Sequence, residues 1–326
     1  LKRIAHSVAR YSPALATGGQ SDQATFERLA KMSHSDFDRV KKNQADRMGV
    51  SVTALTRDVE EARRRYREEK KKGGISRGPE DVEPWDEPVD GRSLLETLTN
   101  VFCRYVILPE YAAETLAMWT VHTYTLDVVD FSPVLMLVSP EKRCGKTTVI
   151  KLLDRLTRRP MRSDDLSAAA LFRSIEEWHP TMLMDEADAW MKDNNELRGI
   201  INSKHSPDGA VQRVEGENRE IRWYSTWCAK AIAGIGKQAG TVMDRSIIIK
   251  MRRKLPEEQV AKLRRKTEAE EFRRLSRQIA RWVQDRKDEL GITGEAREED
   301  SLGLDDRQAD NWEPLLAIAD AVGSQW

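Results

Sequence analysis

Cysteine is scarce: Cys103, Cys144 and Cys228 are the three in 326 residues, far apart and without CxxC or Cys/His ligand spacing. That excludes a disulfide-stapled scaffold and a zinc finger or ribbon, and it points to a reducing, cytoplasmic setting. No apolar run reaches the ~18 residues needed to cross a bilayer, and no signal-peptide hydrophobic region opens the chain. A surplus of either charge is missing too, with Lys+Arg and Asp+Glu at 54 each. Zero net charge argues against a protein that coats nucleic acid with its whole surface, but it leaves room for a local basic strip. Internal repeats and long low-complexity tracts are absent. Leu1 at one end, and Trp326 directly after a helical pattern at the other, suggest cuts through a longer protein.

What is present divides the chain, and its length makes two domains the starting expectation. From Thr25 to Lys72 the pattern is helical in three pieces: FERLAKM, DFDRVKKNQADRM and ALTRDVEEARRRYREEKKK. Ser33 or Ser35 can cap the second, Gly49 can end it, and Ser51 or Thr53 can cap the third. Ala45, Gly49 and Leu55 have helix-turn-helix spacing, although a plain helical hairpin for packing or oligomerisation fits equally well. The basic run from Arg63 to Lys72 is diluted by Glu60, Glu61, Glu68 and Glu69, and reads as a solvated helix end. Residues 73–91, rich in Gly, Pro and acids, read as a linker. The expected division is a small all-α domain over 1–72, that linker, an α/β core over 92–255 and a helical lid over 256–326.

From Arg92 onward helices alternate with short apolar strands, the pattern of a parallel sheet. PVLMLVS (133–139) runs into SPEKRCGKTT and then a helix. This is the strand, loop and helix context of a phosphate-binding P-loop, so Pro140, Glu141, Lys142, Arg143, Cys144, Gly145, Lys146, Thr147 and Thr148 are candidate ATP-binding residues. Gly145 lets the backbone approach phosphates, Lys146 neutralises the β/γ charge, and the Thr147 hydroxyl is a ligand for Mg2+. The first glycine of GxxxxGK[ST] is replaced by Pro140, which can turn the chain but donates no N–H. A second strand, TMLM, ends in Asp185 and Glu186, expected beside the loop. Asp185 would hold Mg2+ through water, and Glu186 would polarise the attacking water as general base. The letters DEAD suggest a DEAD-box RNA helicase, but no SAT motif and too little chain follow Asp188. The 39-residue step from Lys146 to Asp185 is compact, as in ring helicases.

The stretches SPEKRCGKTT, LFRSIEEWHPTMLMDEAD, NNELRGIINS, AKAIAGIGK, MDRSIIIKMRRK and DRQADNWEPLLAIADA carry a resemblance over residues 85–326. They resemble a domain-of-unknown-function family that forms the C-terminal helicase half of primase–helicases from phages, plasmids and mobile elements. The helical segment beginning LAKMSHSDFDRV is similar to the connector that such proteins place before the helicase. The resemblance implies an AAA+-like, superfamily 3 or MCM-type P-loop ATPase, working as a homo-hexamer or similar ring on single-stranded or forked DNA. It implies a primase domain, where present, upstream. It also makes Arg245 the arginine finger, the alternative being an ion pair with Asp244, and Arg307 the sensor-2 arginine, the alternative being a first-turn Arg without a partner. Sensor 1 falls on Lys237 or Gln238, neither of which is the expected Asn or Thr.

Between the acid-bearing strand and AKAIAGIG, the segment GAVQRVEGENREIRWYS alternates about a turn and reads as a β-hairpin. In ring helicases of the resembled type a hairpin here projects into the pore. Lys204, His205, Arg213, Arg219 and Arg222 are the candidates for DNA phosphates, with Trp223 for base stacking. The acidic tip, Glu215 and Glu217, suits phosphate poorly, so a hairpin that only packs the subunit stays open. The leading expectation is a DNA helicase or translocase. The rivals are an ATP-dependent assembly or loader factor without unwinding, and a site-recognising regulator.

Overall fold

Short runs of Val, Ile, Leu and Met become the strands of one sheet, because a strand covered on both faces needs apolar residues at every position. The structure is a computed structural model. It describes residues 25, 26, 29, 34–73, 78–162, 167–186, 195–201, 203, 206–215, 220–236, 240–264, 268–291, 304–323 and 326. The chain divides into two units, Leu1–Arg77 and Gly78–Trp326.

In the first unit, α1 (His34–Met48) and α2 (Val52–Gly73) share a small core of Leu29, Phe37, Ala45, Leu55 and Val59. Gly49 ends α1 with φ +66°, a left-handed conformation that glycine adopts without a Cβ penalty. Ser51 then caps α2, its hydroxyl accepting from Ala54 N–H at 3.1 Å. Ser33 lies outside the described residues.

The second unit opens on residues 78–90, within the stretch read as linker, and these are fastened to the rest of the unit. Asp81 accepts from Arg158 at 2.9 Å, and Trp85 N–H donates to Arg277 O at 2.9 Å beneath the Arg277 guanidinium. Two helices follow, α3 (Gly91–Tyr105) and α4 (Ala112–His122). Asp90 caps α3 through Ser93 N–H at 2.9 Å. Then come β1 (Val134–Ser139), α5 (Lys146–Leu156), β2 (Pro160–Arg162), α6 (Ala168–Trp178), β3 (Thr181–Met184) and α7 (Asn195–Ile201). The hairpin strands β4 (Ala210–Glu215) and β5 (Glu220–Ser225) precede β6 (Lys230–Ile235), α8 (Gly240–Met243) and β7 (Ser246–Lys250). The chain closes with α9 (Ala269–Asp285), α10 (Lys287–Leu290) and α11 (Asp306–Val322).

The main sheet is parallel throughout, in the order β2-β3-β6-β1-β7. Its two faces feed two cores. Leu135 and Leu137 of β1 join α3, α4, α5, α9 and α11 on one side. Val134 and Met136, offset by one residue, join α6, α7 and Tyr224 on the other. The segment expected as a lid therefore shares an apolar core with the helices that precede the sheet. Phe272, Leu275, Ile279, Trp282 and Val283 recur at helical spacing along α9 and are buried in it. Helix does not resume directly after Pro256, as the sequence suggested. Residues 251–264 are irregular and the next helix starts at Ala269, because Glu258 is held by Arg252 at 2.7 Å and Ala261 N–H by Arg104 O at 2.8 Å. Among the described residues no helix is long and apolar enough to cross a membrane.

His122, at the end of α4, is wholly buried between Ser132 Oγ (3.0 Å) and Thr125 Oγ1 (3.3 Å). Burial pushes its pKa from 6.5 down to about 3. The folded chain holds a neutral imidazole while the unfolded chain takes up a proton below pH 6.5. This contribution to stability is therefore complete above that pH and is lost as pH falls toward 3. The expected slope from this group is about 1.4 kcal/mol per pH unit in that window. Urea unfolding at pH 7.5 and pH 5 should show a smaller loss for His122→Gln than for wild type; equal losses would contradict the assignment.

Candidate active site

The loop after β1 is shaped by two left-handed residues, Arg143 (φ +66°) and Gly145 (φ +87°). A Cβ at Gly145 would stand 2.9 Å from Val106 Cγ1 and 3.4 Å from Met251 Cε, so glycine is required here by conformation and by space. Ser139 Oγ donates to Glu141 O at 2.6 Å and accepts from Lys146 Nζ, which holds the buried ammonium over the end of β1. The Cys144 thiol closes the loop from inside, donating to Glu141 O at 3.3 Å. Arg253 ties it from outside, 3.2 Å from the Glu141 carboxylate. α5 starts at Lys146, and Thr148 and Val149 N–H return to Gly145 O at 2.9 and 3.1 Å. The first N–H groups of a helix have no acceptor within it, so this end of α5 is a place for an anion.

At the end of β3, Asp185 is half-buried and Glu186 is exposed. Glu186 has φ +53°, and its N–H donates to Asp185 Oδ1 at 3.1 Å. A non-glycine residue held there costs on the order of 1–3 kcal/mol and is characteristic of functional turns. One point of the sequence reading changes: β3 does not lie beside the loop strand, since β6 runs between β3 and β1. Two strand spacings, ~10 Å, therefore separate β3 from β1.

Loop and acids nevertheless line a single cleft of about 520 Å³ at the C-terminal edge of the sheet. Lys142 to Thr148 form its floor, and Asp185 and Glu186 one wall. Tyr105, Val106, Ile107 and Val260 make an apolar end, while Arg252 and Lys254 make a basic wall. Those last two groups escaped the sequence reading. A signal for the cations existed, because chain leaving a parallel strand reaches the ligand-binding edge and RRK follows β7 after Met251. The donor set suits Mg2+, which takes one or two carboxylates or hydroxyls from protein and the rest from phosphate and water. Among the described residues no group of three or more His, Cys, Asp or Glu could cage a metal alone.

Arg245, expected as a finger toward a neighbouring subunit, and Arg307 lie away from this cleft. Arg245 precedes β7, whose Ser246 pairs with Val134, so about 17 Å of strand separates it from the loop. Its guanidinium donates to Ser203 O at 3.3 Å. Asp244, its expected alternative partner, is bridged by Arg307 at 3.5 Å, and Asn311 Nδ2 donates to Asp244 O at 3.0 Å. Arg307 is thus partnered, and both arginines gather at the edge opposite the cleft.

The hairpin of β4 and β5 forms as expected, with Arg213 directly opposite Arg222. These side chains lie over rings of their own unit, Arg213 5.3 Å from the Phe172 centroid and Arg222 4.9 Å from that of Tyr224. The other face displays Val214, Ile221 and Trp223, all more than 60% exposed. Lys204, His205, Arg219, Lys237 and Gln238 lie outside the described residues.

With this geometry in place, comparison with known proteins adds one sequence family. Residues 250–326 match a family described as protein of unknown function (DUF3631). The match takes in the basic wall, α9 and α11. An uncharacterized 28.9 kDa protein in the xis 5' region of Saccharopolyspora erythraea is 36% identical over 76 residues, which is 23% of this chain and 27% of that one. Among solved structures, two of the NrS-1 C-terminal region in its A-form apo state are similar at 15% identity and a TM-score of 0.36. They cover 75% and 74% of this chain and 53% of theirs. The chain thus spans about a quarter of the curated relative and about half of those solved chains.

Proposed function

We propose that the second unit is an AAA+-like ATPase that drives a DNA helicase or translocase ring, of the kind found in mobile-element and phage primase–helicases. The observation that carries the ATPase part is the single cleft where Lys142–Thr148 meets Asp185 and Glu186. A cleft of about 520 Å³ leaves room for a γ-phosphate, a cation and a water between loop and acids. In this reading Lys146 balances charge on the β- and γ-phosphates, and Thr147 and Asp185 hold Mg2+, which would neutralise charge developing on the phosphoryl oxygens. Glu186 accepts a proton from the water that attacks phosphorus, as the bond to the leaving ADP oxygen breaks.

The ring part rests on Arg245 and Arg307. At the edge opposite the cleft they are out of reach of their own nucleotide, but in a head-to-tail ring that edge meets a neighbour's cleft. DNA contact would come from the hairpin, with Trp223 offering a stacking face and Arg213 and Arg222 at its flank. Because both arginines lie over aromatic rings of their own unit, gripping DNA without unwinding it is the second reading. An upstream primase would extend the same replication role.

The test pairs steady-state ATP hydrolysis, with and without single-stranded DNA, with forked-duplex unwinding in both polarities. The helicase reading expects hydrolysis stimulated by DNA together with ATP-dependent strand separation. Stimulated hydrolysis without separation on either fork would favour the loader, and absence of hydrolysis would sink both.

A further inference from the structure

The basic wall of the cleft has no role in the mechanism above, and its construction is specific. Residues 251–264 leave β7 and cross the loop between two backbone anchors, Met251 N–H to Val138 O and Ala261 N–H to Arg104 O, each 2.8 Å. Between the anchors the chain ties a turn: Glu258 N–H donates to Leu255 O at 3.1 Å, and Leu255 N–H to the Glu258 carboxylate at 2.7 Å. The same carboxylate takes both terminal nitrogens of Arg252, at 2.7 and 2.5 Å. Arg252 also donates to Arg253 O at 3.2 Å, and Lys254 Nζ donates to Glu258 O at 3.3 Å.

An exposed ion pair contributes little to folding by itself. This one has another consequence, because the carboxylate is locked by its backbone bond and bidentate geometry then fixes the plane of the guanidinium. The Arg252 hydrogen bond draws the Glu258 carboxyl down to about 2, so the clasp stays ionised at neutral pH. β7 flanks β1 on the side away from β3, which sets Arg252 and Lys254 across the loop from Asp185 and Glu186. The apolar end formed by Tyr105, Val106, Ile107 and Val260 suits a base. A nucleotide with its base there and its terminal phosphate near the acids must run its α- and β-phosphates past this wall.

We propose that Arg252, positioned by Glu258, is a second phosphate-binding cation supplied by the same chain, contacting the α- and β-phosphates of a nucleoside di- or triphosphate. This rests on the nucleotide reading of the cleft. Arginine suits the task because its planar fork can keep the Glu258 clasp on one edge and offer its remaining donors to phosphate oxygens.

The experiment measures ADP and ATP affinity by calorimetry at several salt concentrations, for the whole chain and for Arg252→Ala, Arg252→Lys, Glu258→Gln and Lys146→Ala. Thermal unfolding confirms that each variant folds. Arg252→Ala should weaken ADP about tenfold, the range of one charge-assisted hydrogen bond, with a shallower salt dependence. Arg252→Lys should recover part of the loss, and Glu258→Gln should cost less than Arg252→Ala. Wild-type ADP affinity in Arg252→Ala, or weakening with an unchanged salt slope, overturns the assignment while Lys146→Ala still weakens binding. If wild type binds neither nucleotide, or Lys146→Ala binds as wild type does, the cleft reading fails and this proposal with it.

Discussion

Glu186→Gln should keep nucleotide bound while lowering the hydrolysis rate by ~100-fold or more, the share that a positioned general base contributes. The substitution removes the basic oxygen and little else. Glu186 is exposed, its φ of +53° is as accessible to Gln as to Glu, and the bond from its backbone N–H to Asp185 Oδ1 does not involve its side chain. Lys146→Ala should behave differently. The buried ammonium over the floor of the cleft is lost, so affinity for ATP falls together with turnover. Single-turnover hydrolysis beside equilibrium binding separates the two outcomes. A Glu186→Gln protein that retains more than a tenth of wild-type turnover would remove Glu186 from the role of base.

The second expected result concerns subunits in mixture. If Arg245 completes a neighbour's cleft, Arg245→Ala should lower turnover by a factor on the order of a thousand, as loss of an arginine finger does. Mixed in equal amounts with Glu186→Gln, it should regain turnover that neither variant has alone, because an Arg245→Ala cleft then receives the finger of a Glu186→Gln neighbour. Arg245 also donates to Ser203 O, and its carbonyl receives Val134 N–H at 3.0 Å, so the fold needs its own control. Arg245→Lys keeps a cation and can still donate to that carbonyl; it should match wild type in thermal unfolding yet stay deficient in turnover, since Lys lacks the planar fork. A mixture no more active than the two variants measured separately would show that Arg245 serves only its own chain.

Much of the cleft could be read from local sequence because its parts are local. A strand, a loop with Gly145, and Lys146 and Thr147 opening a helix occupy consecutive residues 134–147, and the acids directly follow four buried ones. The hairpin was legible for the same reason, since alternation about a turn needs no distant partner. Other features depended on order in space. Nothing in TMLMDE says that β6 will insert between it and the loop strand. Nor does the run after Pro256 reveal that 251–264 stays irregular, for that follows from a salt bridge with Arg252 and a backbone bond to Arg104. Arg213 and Arg222 looked like phosphate ligands because charge is visible in sequence, while the rings of Phe172 and Tyr224 beneath them are not.

By itself the sequence determined that a parallel α/β unit would carry a Gly-Lys-Thr loop after one strand and a pair of acids after another. Those features arise from residue type and short spacing, which set backbone conformation before any tertiary contact forms. Tertiary structure decided what surrounds them: the insertion of β6 between the strands that carry them, the apolar end from α3, the cations delivered by the exit of β7, and the gathering of Arg245 and Arg307 at the opposite edge. Each depends on which strand lies next to which, and that order is chosen by burying two apolar cores at once rather than by any one segment.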